Sequence, residues 1–119
     1  MKCALAALIV ALAPAVSLAH PCDADAIKRG TPLLKLHFEA DQLENASVED
    51  TVKELPPIKA LKGKGKFDVL EVWGHIYKAD YRMRFIYAQV SGSCLLMGQE
   101  ILEASDPYWP AGGIAERPN

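Results

Sequence analysis

The sequence FDVLEVWGHIYKADYRMRFIYAQV, at residues 67–90, decides the fold of this protein. Its second half alternates between two kinds of side chain, as in an extended strand whose successive residues point to opposite faces. One face carries Tyr81, Met83, Phe85 and Tyr87, and the other carries Arg82, Arg84, Ile86 and Ala88. The first half also has period two, with apolar residues on both faces. The pattern predicts two antiparallel strands joined by a turn at residues 78–80.

The flanking segments extend this unit in both directions. After a short turn, CLLMGQEILE at 94–103 predicts a further strand, so the sheet is expected to be an antiparallel meander of three or four strands. Upstream, DADAIKRGTPLLKLHF at 23–38 predicts a helix. Gly30 and Pro32 predict a kink in it, or its division into two short helices. Its helical spacing is carried by Ala24, Ile27, Thr31, Leu34 and Phe38.

The segment between helix and strands is open to two interpretations. Ser47 and Asp50 resemble a capping box, with Val48, Val52 and Leu55 on one helical face, so a helix is favoured slightly over a strand. The prolines at 56–57 are expected to end it. KALKGKGK at 59–66 predicts an exposed loop. The predicted fold class is α+β, with an N-terminal helix packed on the meander.

The first residues have the pattern of a secretion signal. A positive start at Met1–Lys2 precedes an apolar run, and Ser17-Leu18-Ala19 presents the small residues that a signal peptidase reads. We expect residues 1–19 to be removed, leaving a domain at 20–105 and an irregular or disordered tail at 106–119. No later segment is apolar for long enough to span a membrane. The expected location is therefore the periplasm or the medium.

Charge argues against one class of partner. The chain has 13 basic and 15 acidic residues, and loss of Lys2 with the leader leaves 12 against 15, a formal charge of −3. This balance predicts no general affinity for nucleic acid. The charge is uneven, however, because residues 59–66 contain four lysines and no acid.

Two cysteines remain once Cys3 leaves with the leader. Cys22 and Cys94 are expected to pair, since thiols tend to form disulfides in an oxidising compartment. A reactive or metal-binding cysteine pair is the alternative.

The strand region also carries a resemblance to known proteins. KFDVLEVWGHIYKADYRMRFIYA at 66–88, together with CLLMGQEILE, resembles a group of small exported bacterial proteins without an established activity. The resemblance covers residues 45–103. It implies export and a compact helix-plus-sheet domain, and it brings no catalytic residues.

Copper is the one cofactor that the sequence suggests. If cleavage follows Ala19, His20 offers an α-amine and an imidazole that together chelate one metal ion, provided that His37 or His75 supplies another ligand. The alternative is that His20 is simply the residue after the cut. For His75, a partly buried, hydrogen-bonded role is the alternative to metal binding.

The basic side chains predict a binding surface. Arg82 and Arg84, with Lys62 and Lys64 of the loop, are the expected contacts for an acidic or aromatic partner. Alternatively, the arginines pair with Asp68, Glu71, Glu100 or Glu103 on neighbouring strands. A small hydrolase is the third hypothesis, although Ser91 and Ser93 lack a nucleophile elbow. The sequence thus favours an exported protein that binds a macromolecule or small ligand, with no catalysis apparent.

Overall fold

The computed structural model describes residues 4, 6–9 and 20–108. One helix precedes four strands: α1 (Asp23–Phe38), β1 (Ala46–Lys59), β2 (Lys66–Ile76), β3 (Ala79–Val90) and β4 (Ser93–Glu103). The strands form one antiparallel sheet in the order β1-β2-β3-β4, and α1 packs on one face of it. The predicted α+β class is confirmed. Most of the predicted leader and of the predicted tail lies outside the described residues.

The helix has the predicted bounds but is not divided. Pro32 lies inside α1 at an exposed position, and the helix continues to Phe38, where Glu39 ends it in the left-handed conformation. The buried face consists of Asp23, Ala26, Gly30, Leu33 and Leu34, so Leu34 alone belongs to the predicted apolar set.

The helix lies close to the sheet at Gly30. A Cβ atom on Gly30 would lie 2.7 Å from Cγ1 of Val48, a distance that real contacts do not reach. The glycine that suggested a break is therefore a packing residue, because its missing side chain makes room for β1.

The helix predicted at residues 47–55 is wrong, since this segment is part of β1. Val48 and Val52 both pack against the core, as expected for two strand residues four apart, although the register of β1 on β2 shifts between them. A second shift, between Leu55 and Ile58, contains the two prolines. Because β1 is an edge strand, prolines at a bulge there need not interrupt the pairing.

The core lies between α1 and the helix-side face of the sheet. Leu70 and Val72 of β2 and Met83, Phe85 and Tyr87 of β3 are fully buried there. Cys22, just before α1, is disulfide-bonded to Cys94 at the start of β4, with 5.8 Å between the Cα atoms. The predicted disulfide thus anchors the beginning of the helix to the last strand.

Across the described residues, we find no helix with the length and apolar character needed to cross a bilayer.

Candidate functional site

The face of the sheet that points away from α1 is here called the open face. Strand alternation places Glu71 and Arg84 on it, because the residues on either side of each belong to the core. The register then aligns one charged row across all four strands: Lys53, Glu71, Arg84 and Glu100. No other element of the described chain is packed against this side of the sheet.

Arg84 holds the most buried carboxylate of this row. Its Nε donates to Oε2 of Glu71 at 3.0 Å, and its Nη1 lies 3.5 Å from Oε1 of Glu100. Trp73 Nε1 donates to the other oxygen of Glu71 at 3.0 Å, and Glu71 is 7 % exposed. Burial pushes the pKa of Glu71 upward, but these donors outweigh it and hold the pKa below its usual value. For Arg84, the geometry favours the expected ion pairs on neighbouring strands.

Arg82 is satisfied less completely. It stands opposite Trp73 on β2 and Leu102 on β4, and its Nη2 lies 3.7 Å from Oε1 of Glu100. Within the described part of the protein, its buried Nε has no hydrogen-bond partner. The Nε of Arg82 is therefore unsatisfied, whereas the Nε of Arg84 is hydrogen-bonded to Glu71.

Apolar side chains flank the charged row on both sides. Leu55, Val69 and Ile86 form a row along one side. Leu102 lies beyond Arg82, and Leu95 lies opposite Ala88; these two leucines are 56 % and 52 % exposed. Aromatic and arginine side chains among apolar groups, with charges between them, are typical of protein–protein interfaces.

The basic loop lies away from the arginines. Lys62 and Lys64 belong to the connection between β1 and β2, which ends at Lys66. Arg82 is the cross-strand neighbour of Trp73. Trp73 lies seven residues beyond Lys66 along β2, which is about 23 Å at the rise of an extended strand. The structure therefore does not bring the four predicted contact residues into one surface.

His75 lies between two carboxylates at one end of the open face. Nδ1 is 2.6 Å from Oδ1 of Asp80, and Nε2 is 3.0 Å from Oε2 of Glu49. The bond to Asp80 raises the pKa of His75; burial opposes this increase, and Glu49 adds to it. A protonated ring donates to both partners, so the geometry favours the partly buried, hydrogen-bonded role.

His20 is buried at the opposite end of the helix-side face. Its backbone nitrogen donates to Oδ2 of Asp23 at 3.0 Å, and its Nδ1 accepts the N–H of Cys22 at 3.0 Å. Because Nδ1 accepts, the proton of the neutral ring is on Nε2, which donates to Oδ2 of Asp68 at 3.0 Å. Gln89 donates to the same carboxylate oxygen at 2.8 Å. These partners could not be predicted from the sequence, since Asp68 and Gln89 are far from His20 along the chain.

Three side chains that could ligate a metal ion lie together at this end. One ligand atom each from His20, Glu54 and Asp68 lies within 4.8 Å of the others. The other histidines are elsewhere: His37 is in the last turn of α1, about 21 Å from the start of the helix, and its ring contacts Phe38 and Tyr81. His75 is seven residues from Asp68 along β2. The structure therefore brings neither histidine to His20 as the second histidine of a copper chelate.

No family model, curated protein or solved structure matches this chain.

The hydrolase hypothesis gains no candidate nucleophile. Ser91 and Ser93 are exposed at the tight β3–β4 turn. A groove of about 400 Å³ runs between α1 and β4, but its described lining contains no serine, cysteine or histidine. It is lined by Asp25, Lys28, Arg29, Pro32, Leu33, Leu36, Leu96 and Gln99.

Proposed function

We propose that this protein is exported and acts by binding a protein partner through the open face of its sheet. The signal-like leader and the resemblance to exported bacterial proteins support export. A disulfide within the domain is compatible with an oxidising compartment.

The environment of Arg82 is the observation that carries the binding proposal. Arg82 has Trp73 and the exposed Leu102 as its cross-strand partners, and its ion-pair contact within the described residues, to Glu100, is long. Arginine and tryptophan are the residues that most often dominate the energy of protein interfaces. A partner carboxylate placed over Arg82 would supply the acceptor that Glu100 provides only at 3.7 Å.

The shape of the surface favours a macromolecule over a small ligand. Small-molecule sites are usually concave. The grooves of about 400 and 560 Å³ both lie beside α1, and neither is lined by open-face residues. A sheet face with exposed apolar and charged rows suits another protein surface.

Site-specific photo-crosslinking in the producing cell tests the proposal. A photoreactive amino acid replaces Leu102 on the open face or, as the matched control, Leu36 on α1, which is 67 % exposed. We expect a discrete protein adduct from position 102 and none of that mass from position 36. No adduct at position 102, or the same adduct from both positions, would contradict an open-face interface.

Arg82→Ser provides the second arm of this test. We expect the variant to fold normally and to form the position-102 adduct at least about fivefold more weakly, because an interface arginine that contributes more than about 1 kcal/mol changes affinity by at least that factor. Loss of folding in Arg82→Ser would show instead that this arginine is structural.

Metal binding at His20 is the second candidate function, and it rests on the group that His20 forms with Glu54 and Asp68. In an amino-terminal copper chelate, copper would have to displace the N–H of Cys22, because the lone pair of Nδ1 accepts that hydrogen bond. The bond to Asp23 could remain, since a metal-bound amine still has N–H groups to donate.

Native mass spectrometry with one equivalent of Cu(II) distinguishes the arrangements. An amino-terminal chelate requires that one extra residue before His20 abolish binding. If the extended chain binds copper equally well and the Asp68→Asn variant does not bind it, the ligands are the side chains of His20, Glu54 and Asp68. If neither the chain that begins at His20 nor the extended chain retains copper, both arrangements are dismissed.

A further inference from the structure

We infer that the tip of the β1–β2 hairpin, residues 58–66, docks on the surface of an anionic lipid bilayer. This hairpin tip lies at the end of the sheet away from Arg82 and plays no part in the proposed protein interface.

The hairpin tip presents an apolar side chain to solvent. Leu61 is 101 % exposed and Ile58 is 43 % exposed. The backbone N–H of Ala60 donates to the carbonyl of Gly65 at 2.9 Å and closes the loop, and Gly63 adopts a positive φ of 78° within it. Leu61 therefore protrudes from a closed loop rather than from an unstructured segment.

Four lysines surround this leucine without compensation. Residues 55–67 contain no acid, and no ion pair joins a carboxylate to any of these lysines in the described part of the chain. The whole sequence is nevertheless acidic, with a formal charge of −2. The hairpin tip is thus a positive end on a negative molecule, and an anionic surface would orient the protein with this end towards it. The lysines are Lys59, Lys62, Lys64 and Lys66.

This combination fits a bilayer better than a nucleic acid. Phosphate contacts would use the lysines but would leave Leu61 in water, and the loop has no aromatic side chain on which a base could stack. At a membrane surface, the ammonium groups remain among the lipid headgroups while an aliphatic side chain enters the interfacial layer. The long, flexible side chains of the lysines make this arrangement possible.

Vesicle co-sedimentation tests the inference. Because the helix, sheet, core and disulfide all lie within residues 20–108, the test uses the chain from His20 to Asn119. We expect it to bind vesicles of phosphatidylcholine mixed with phosphatidylglycerol and not vesicles of phosphatidylcholine alone. Added salt should weaken the binding, since it screens the lysines.

Variants assign the binding to the hairpin tip. Lys62→Gln/Lys64→Gln should lower the partition coefficient about 30-fold, at about fivefold for each lysine near an anionic surface. Leu61→Ser should lower it about fivefold and leave the remaining binding sensitive to salt. Lys28→Gln/Lys78→Gln is the matched control, because it removes the same charge from α1 and from the opposite end of the sheet, and it should change binding less than threefold.

Three results would overturn the inference. The first is no binding to phosphatidylglycerol vesicles, and the second is an equal loss in both double-lysine variants. The third is an unchanged partition coefficient for Leu61→Ser, together with binding to duplex DNA that depends on Lys62 and Lys64, which would identify a general polyanion site.

Discussion

Arg84 and Arg82 stand two residues apart on the open face, yet their removal should have different consequences. Arg84→Ser leaves the carboxylate of Glu71, which is 7 % exposed, without its cation. We expect a loss of about 2–3 kcal/mol in the free energy of unfolding, below the usual range for a buried pair because Arg84 is partly exposed. Arg82→Ser removes a donor that has no partner and should cost less than about 1 kcal/mol. Urea unfolding of the two variants measures the difference.

The free energy of unfolding measured at acid pH provides the control for the Arg84 prediction. The pKa of Glu71 is lowered in the folded protein, so its pairing stabilises the fold above the unfolded pKa and is lost as pH falls through the folded one. The difference in the free energy of unfolding between wild type and Arg84→Ser should therefore shrink in acid. Adding Glu71→Gln to Arg84→Ser should restore part of the lost stability at neutral pH. Equal destabilisation by both arginine variants, independent of pH, would contradict this account.

His75 should make stability depend on pH in the opposite direction. Its pKa is raised in the folded state, chiefly by Asp80, so the stabilisation is present below the unfolded pKa near 6.5 and disappears as pH rises through the folded value. We expect the difference in melting temperature between wild type and His75→Gln to be larger at about pH 6 than at about pH 9. NMR titration of the ring checks the cause, because Asp80→Asn should lower the pKa of His75. A constant difference in melting temperature would refute the prediction.

At the scale of elements, the contact between α1 and β1 depends on a missing side chain. In an exposed helix, Gly→Ala stabilises by about 1 kcal/mol. At Gly30 the added Cβ would meet Cγ1 and Cγ2 of Val48 at 2.7 and 2.9 Å, so Gly30→Ala should destabilise by about 1–3 kcal/mol. Thermal and urea unfolding measure the sign of the stability change, which should be opposite to the sign that helix propensity predicts.

A second substitution identifies the clash as the cause. Val48→Ala removes both methyl groups, so Gly30→Ala should cost much less in that background than in the wild type. Gly65→Ala, where the added Cβ meets nothing within 4 Å, should be close to neutral. An additive double variant would show that α1 and β1 do not meet at this point.

The sequence predicted β2 and β3 but not β1 or the role of Gly30, because the latter two depend on contacts between elements. Period two in β2 and β3 is a local property, and their faces are as expected. In β1, Val48 and Val52 lie four residues apart, a spacing that puts two side chains on one face of a strand as well as on one face of a helix. The spacing of these two valines alone could therefore not distinguish the two elements. Likewise, Gly30 suggests a helix break until its neighbour Val48 is known.

The candidate sites were predictable to a smaller extent, because their partners are distant in sequence. Alternation alone put Arg82 and Arg84 on one face, and the need for counter-ions led to Glu71 and Glu100 as alternatives to an outside partner. Which arginine uses which carboxylate depends on strand register. The burial of His20 depends on Asp68, which lies 48 residues away along the chain. No spacing rule connects those two positions.

At the scale of the whole molecule, the disulfide links the beginning of the domain to its end. Cys22 precedes α1 and Cys94 begins β4, a separation of 72 residues that encloses the helix and three strands. The hydrogen bonds of His20 lie beside Cys22, at the amino end of α1. Cleavage of this bond should therefore loosen the amino end of α1 from the sheet as well as enlarge the unfolded ensemble.

Reduction of this bond should cost a large share of the total stability. The chain-entropy estimate for a loop of this length is about 4 kcal/mol, against about 5–15 kcal/mol for the stability of a typical domain. We expect urea unfolding to show a loss of about 2–4 kcal/mol for Cys22→Ala/Cys94→Ala and a similar loss for the wild type in reductant. The double variant should not respond to reductant, which separates the effect of the bond from that of the reagent. If intact mass shows both thiols free in the wild type while the unfolding midpoint is unchanged, non-covalent contacts alone hold α1 against the sheet.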